Sequence, residues 1–159
     1  MSPLLPLVAT ALLAGPANPP PPPDVDKVRA SGTRRTAVRQ LLVRRLAEQE
    51  RFDELVALYR EDTQEHPGES EGWRRLGTAL LFLRADLPGA LPALQEAVRL
   101  RAEEADSHLL LGVCLNGLAR HPEAVAAFEE ALRLDPEVMA LRPAAKASFE
   151  AAQRGEGWP

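Results

Sequence analysis

A pattern that recurs every 34 to 35 residues constrains this chain more than any other feature. Pro67 and Pro136 lie 69 residues apart, and a third near-copy of the same pattern falls between them. A period of this length is typical of chains in which one supersecondary unit is repeated in a row, each unit burying its apolar face against its neighbours. The sequence therefore predicts an array of helical hairpins.

The three copies can be aligned position by position. The third copy contains His108, Leu111, Gly112, Leu115, Ala124, Phe128, Ala131 and Pro136. The second contains Trp73, Leu76, Gly77, Leu80, Ala90, Leu94 and Ala97, with Ala102 in place of the proline. The first contains Arg39, Leu42, Val43, Leu46, Leu55, Tyr59, Asp62 and Pro67, and therefore departs most from the shared pattern.

Together the copies resemble the tetratricopeptide repeat, which places Trp, Leu-Gly and Tyr on a first helix and Ala, Phe and Pro on and after a second. The third copy lacks only the Trp and the Tyr, which are His108 and Leu115 here. The resemblance implies an all-α fold, a helical-hairpin solenoid of about three repeats over residues 36–69, 70–104 and 105–138. Residues 139–153 are expected to form a capping helix with Leu141, Ala145 and Phe149 on its apolar stripe, and 154–159 a tail.

Two local features refine this prediction. Gly77 and Gly112 fall within helices, where glycine costs about 1 kcal/mol relative to alanine, so close packing against a second helix is expected at both. Gly77 and Ala90 are 13 residues apart, but Gly112 and Ala124 are 12 apart. The second repeat should therefore have one extra residue in its turn.

The N-terminal region has a different composition. No charged side chain precedes Asp24, and an apolar run over residues 4–15 is followed by five consecutive prolines at 19–23. The run is too short to span a bilayer but has the length of a signal-peptide core. Residues 1–17 are a candidate signal peptide for export to the periplasm, and 18–35 a proline-rich polar linker. The alternative is an uncleaved apolar leader on a cytoplasmic protein.

Charge and chemistry exclude several functions. Residues 36–159 carry 21 acids and 15 bases, a net charge of −6, so nucleic-acid binding is not expected. Cys114 lies in a leucine-rich helix and is interpreted as a small buried thiol. The three histidines lack metal-ligand spacing, and no nucleophile–base pair or glycine-rich phosphate loop is present. We therefore predict no enzyme activity, metal, cofactor or small-molecule substrate.

A second stripe on each first helix is the candidate binding surface. It follows i, i+4, i+7 spacing and comprises Gln40, Arg44 and Ala47; Arg74, Thr78 and Leu81, with Phe82 beside them; and Leu109, Val113 and Asn116. The resemblance implies that this stripe lines a concave groove that binds a peptide or helix, here one with an acidic end near the arginines. It lacks the Lys/Asn arrangement with which some relatives clamp a C-terminal carboxylate.

The sequence thus favours a scaffold or adaptor whose partner is a protein or peptide, with membrane contact only through a signal segment. A small cytosolic chaperone of a secretion system is the alternative, since such chaperones have a similar size and three repeats of this kind.

Overall fold

A computed structural model describes residues 33–157, with side chains from residue 38 onward. The candidate signal peptide, most of the proline-rich linker and Trp158 lie outside the described residues. The described part contains seven α-helices and no strand, so the all-α prediction is confirmed. None of these helices is long and apolar enough to cross a membrane.

The helices form three hairpins followed by a single helix. Their bounds are α1 Thr33–Glu48, α2 Phe52–Glu65, α3 Ser70–Leu83, α4 Leu87–Leu100, α5 Ala105–Gly117, α6 His121–Leu134 and α7 Pro143–Gln153. The chain divides into two compact units, Met1–Leu58 and Tyr59–Pro159. In the second unit α3 packs on α4 and α5 on α6, while α5 also contacts α3, α4 and α7.

Gly77 and Gly112 lie where the two helices of their hairpins pack closely together. A Cβ at Gly77 would lie 2.6 Å from the Leu94 side chain, and a Cβ at Gly112 would lie 2.8 Å from the ring of Phe128. Leu94 and Phe128 are fully buried. The close packing expected at these glycines is therefore present, because each leaves room for the large side chain of the paired helix.

Each hairpin turn contains one residue in the left-handed region. Glu50, Ala85 and Ala119 have φ angles of 54°, 53° and 59°. In the third hairpin the next amide, of Arg120, donates to the carbonyl oxygen five residues earlier, and the first hairpin does the same. In the second, Asp86 N–H donates to Leu80 O, six residues earlier. The extra residue predicted for this turn is thus accommodated before the left-handed position.

Prolines mark the starts of the second helices. Pro88 and Pro122 lie in the first turns of α4 and α6, where a missing N–H is tolerated. The Asp86 side chain caps α4 by accepting from Gly89 N at 2.9 Å. Pro92 lies inside α4, but the helix continues to Leu100.

The last helix closes the second unit. Ala145, Ser148, Ala151 and Ala152 of α7 are buried, and the Phe149 ring lies 5.3 Å from that of Phe128. Leu141 was expected on the apolar stripe of this helix but is 94% exposed. The difference arises because α7 begins only at Pro143 and Leu141 lies in the preceding turn.

Candidate functional site

The stripe predicted to bind a partner lies on α3 and α5 in the second unit. Arg74, Thr78, Leu81 and Phe82 are on α3, and Leu109, Val113 and Asn116 are on α5. Arg74 and Phe82 are partly exposed, whereas the other five side chains are at most 6% exposed. The stripe is therefore largely part of the interior.

This burial corrects the expectation that all seven side chains face an open groove. Helix α5 packs against both α3 and α7, so residues one step round from the glycine positions lie in the seams between neighbouring helices. Leu81, Leu109 and Val113 are therefore closed off from solvent, and only the ends of the stripe remain partly exposed.

Asn116 forms hydrogen bonds across one of these contacts between helices. It is fully buried, and its Nδ2 donates to the backbone oxygen and the Oγ of Ser148 on α7, at 3.0 and 3.1 Å. Its Oδ1 lies 2.8 Å from Nδ1 of His121, whose N–H donates because the amide oxygen can only accept. One amide thus joins α5, α6 and α7, a structural role that the sequence did not reveal.

Arg74, at the accessible end of the stripe, belongs to a group of charged side chains. Glu71, Arg74, Glu104, Asp106 and Arg142 lie at or just before the N-terminal ends of α3, α5 and α7, and we call them the charge cluster. Arg74 Nε lies 3.0 Å from Glu71 Oε2 and 3.7 Å from Glu104 Oε2, and Arg142 Nη1 donates to Asp106 Oδ1 at 2.5 Å. Their side chains are between 19% and 40% exposed. The cluster therefore connects successive first helices while still facing solvent.

The carboxylates of the cluster determine the state of Arg74. Burial alone would lower the pKa of its guanidinium, but the hydrogen bond that it donates to Glu71 and the charges of Glu71, Glu104 and Asp106 raise that pKa above its ordinary value. Arg74 is thus charged and already paired within the chain. A partner with a simple acidic end would have to compete with three carboxylates, which weakens that part of the sequence-based prediction.

Gln40 and Arg44 belong to the first unit. Both are exposed on α1, and Arg44 Nε lies 2.9 Å from Glu48 Oε1. Both side chains are accessible to solvent, and their place in a binding surface stays a prediction.

Trp73 and His108 occupy equivalent places and make equivalent bonds. Trp73 Nε1 donates to Pro67 O at 2.9 Å, and His108 Nε2 lies 2.8 Å from Ala102 O; each bond spans six residues. Both rings are only half-buried. Each ring therefore closes the segment between two hairpins and does not lie wholly in the core.

Most of the remaining repeat positions on α3 to α6 form the core. Leu76, Ala90, Ala124 and Ala131 are buried. Leu111 is partly exposed and lines a shallow depression with Leu115, Val98 and the two carboxylates Glu123 and Glu130, and Pro136 is exposed. The depression contains no pairing of a nucleophile with a base.

Cys114 is a buried thiol, as predicted. Its Sγ lies 3.4 Å from Leu87 O, and burial raises its pKa to about 11. No group of three or more metal-ligating side chains occurs within residues 38–157.

Solved structures of known proteins have the same architecture. The tetratricopeptide-repeat domain of Arabidopsis OM64 matches with a TM-score of 0.62 and 20% identity, covering 74% of this chain and 93% of that domain. The TPR2B domain of yeast Sti1, in a complex with pHsp70, matches with a TM-score of 0.62 and 16% identity, covering 73% and 94%.

No protein-family model and no curated protein matches the sequence. The structural likeness spans nearly the whole of both neighbouring domains. The order of hairpins, the glycine contacts and these matches together establish that the chain has the tetratricopeptide-repeat fold.

Proposed function

We propose that the chain is a non-enzymatic interaction module, a scaffold or adaptor that binds a peptide or helix of a partner protein. The observation that carries the proposal is the charge cluster. It stays partly exposed at the N-terminal ends of α3, α5 and α7, whereas the middle of the predicted stripe is buried. The Sti1 neighbour, whose structure contains pHsp70, supports protein binding by this fold in general.

The cluster favours a partner segment that carries charges of both signs. It contains three carboxylates and two guanidinium groups, and each guanidinium is already within ion-pair distance of a carboxylate. A partner that offers both an acidic and a basic side chain can exchange these pairs without leaving a charge unmatched. Phe82, half-buried near the other end of α3, would supply apolar contact.

A charge exchange tests the site while preserving the fold. In Asp106→Arg combined with Arg142→Asp the internal ion pair is kept but its polarity is reversed. Binding of a partner obtained by affinity capture should weaken by about 1–3 kcal/mol in calorimetric titration, since interface energy is concentrated in few residues. Melting of the free variant should stay close to the original.

The matched controls lie on second helices. Glu96→Ala and Glu130→Ala each break an exposed ion pair, with Arg99 and Arg133, and should leave partner affinity unchanged. Controls that weaken binding more than the charge exchange would refute this site.

We also propose that the protein is exported. The apolar run over residues 4–15 and the small residues Gly15, Pro16 and Ala17 support a cleavable signal. Leu7→Arg combined with Ala11→Arg should keep the protein in the cytosol with its leader intact. Unchanged fractionation and mass would show that the leader is not an export signal.

A further inference from the structure

Helix α1 exposes three aliphatic side chains on one face. Val38, Leu41 and Leu42 follow helical spacing and are 60%, 56% and 44% exposed; we call them the α1 stripe. Leu46, one turn beyond Leu42, is buried. The apolar surface therefore runs from the interior of the first unit onto its outside.

The same helix is strongly basic. It contains one acid, Glu48, and five arginines: Arg34, Arg35, Arg39, Arg44 and Arg45. Its net charge is thus +4 in a chain whose total is −4, so the remaining residues carry −8. Arg45 follows Leu41 by four residues and Leu42 by three, which places it on the face of the stripe. Exposed aliphatic and cationic groups therefore share one surface.

The charge indicates what covers this surface. A second copy docking α1 against α1 would bring two helices of +4 together, which is unfavourable. An anionic lipid surface attracts the arginines and accepts aliphatic side chains at the boundary between headgroups and acyl chains. Arg39 donates to Leu58 O and Arg44 pairs with Glu48, so Arg45 is the described arginine that lies beside the stripe and can meet lipid headgroups. Each basic group near an anionic lipid surface adds to the attraction.

We propose that α1 binds an anionic phospholipid surface, with the α1 stripe inserted at the acyl boundary and Arg45 directed to the headgroups. This contact is separate from the charge cluster, which lies in the other unit. The protein would then be held at a membrane by its first helix while the second unit engages its partner.

Vesicle sedimentation tests the proposal with the full chain. The probes are vesicles of phosphatidylcholine alone and of phosphatidylcholine with about 30% phosphatidylglycerol, a fraction that gives a strongly anionic surface. We expect sedimentation with the anionic vesicles and much less with the neutral ones. Raising the salt concentration should weaken it, because the electrostatic attraction is screened.

A matched pair of leucine variants tests the apolar contact. Leu41→Glu should lower the partition coefficient on anionic vesicles at least about tenfold, since it removes an inserted side chain and adds a negative charge. Leu141→Glu makes the same change at a leucine that is 94% exposed elsewhere, and should have no effect.

A second pair tests the charge. Arg45→Glu should lower partition at least about fivefold, because each basic group near an anionic surface contributes about that factor. Arg99→Glu, an equal reversal at an exposed arginine of α4, should change little. Circular dichroism of all four variants verifies that they fold.

Three outcomes would overturn the proposal. Absence of sedimentation with anionic vesicles would refute it directly. Equal binding to neutral vesicles, insensitive to both α1 variants, would assign membrane contact to the apolar run over residues 4–15. Retention on immobilised polyglutamate without vesicle binding would instead indicate an acidic protein surface as the occupant of α1.

Discussion

Asn116 on α5 and Ser148 on α7 are joined by two hydrogen bonds within the protein interior, of 3.0 and 3.1 Å. Both residues are fully buried. In Asn116→Leu the hydroxyl of Ser148 and the N–H of His121 lose a partner, and an unsatisfied buried polar group costs about 1–3 kcal/mol. We expect a total loss of about 2–4 kcal/mol in urea unfolding.

A double-mutant cycle isolates this link. Ser148→Ala removes one of the orphaned groups, so the double variant should be more stable than the sum of the two single losses predicts, by at least about 0.5 kcal/mol. Additive losses would mean that the two side chains do not depend on each other.

Gly112 provides a test of helix packing. Gly112→Ala gains about 1 kcal/mol of helix propensity, but its Cβ would lie 2.8 Å from the Phe128 ring, so we expect a net destabilisation of about 1–3 kcal/mol. Gly72→Ala is the matched control, because its Cβ would meet its nearest neighbour, Asp62, at an ordinary 3.4 Å. Gly72→Ala should be neutral or stabilising. Thermal unfolding of both variants decides; equal behaviour would contradict the packing argument.

Replacing Ala119 by glycine should stabilise the protein. Its φ of 59° is strained for a residue with a Cβ, and glycine is the preferred residue at this helix end. After the entropy that glycine adds to the unfolded chain, Ala119→Gly should still gain about 0.5–1 kcal/mol. Ala126→Gly, at a solvent-exposed position in the middle of α6, should lower the free energy of unfolding by about 1 kcal/mol. Melting temperatures that shift in the same direction would argue against the strain.

Cys114 makes stability depend on alkaline pH. Burial raises its pKa from 9.0 to about 11, so the folded state favours the protonated thiol. Its contribution to stability is complete below about pH 9 and is lost as the pH rises towards 11, because the unfolded chain ionises first. The difference in urea stability between the protein and Cys114→Ala should therefore shrink across that interval.

The same burial should slow chemical modification. Alkylation of Cys114 at pH 8 should proceed only as fast as the protein opens, and it should become rapid in denaturant. Fast labelling of the folded protein would show that the thiol is accessible.

Sequence periodicity predicted the hairpins, the role of Gly112 and the extra residue near Ala85, because each is a local consequence of helical spacing. It did not predict the burial of Val113 or Asn116. A helical repeat identifies which residues share a face, but the width of the buried sector depends on how closely neighbouring helices pack. The contact of Asp106 with Arg142 spans 36 residues, and no local pattern encodes it.

The bonds from Trp73 to Pro67 and from His108 to Ala102 have a consequence for engineering. Each bond joins two residues six positions apart and so fixes the length of the segment between successive hairpins. A peptide inserted in either segment would break the bond and separate the repeats. The turn at Ala85 already carries one more residue than its equivalents and has no such fastening ring. An epitope tag or a fluorescent reporter should therefore be inserted between Arg84 and Ala85, which keeps Asp86 next to the helix that it caps.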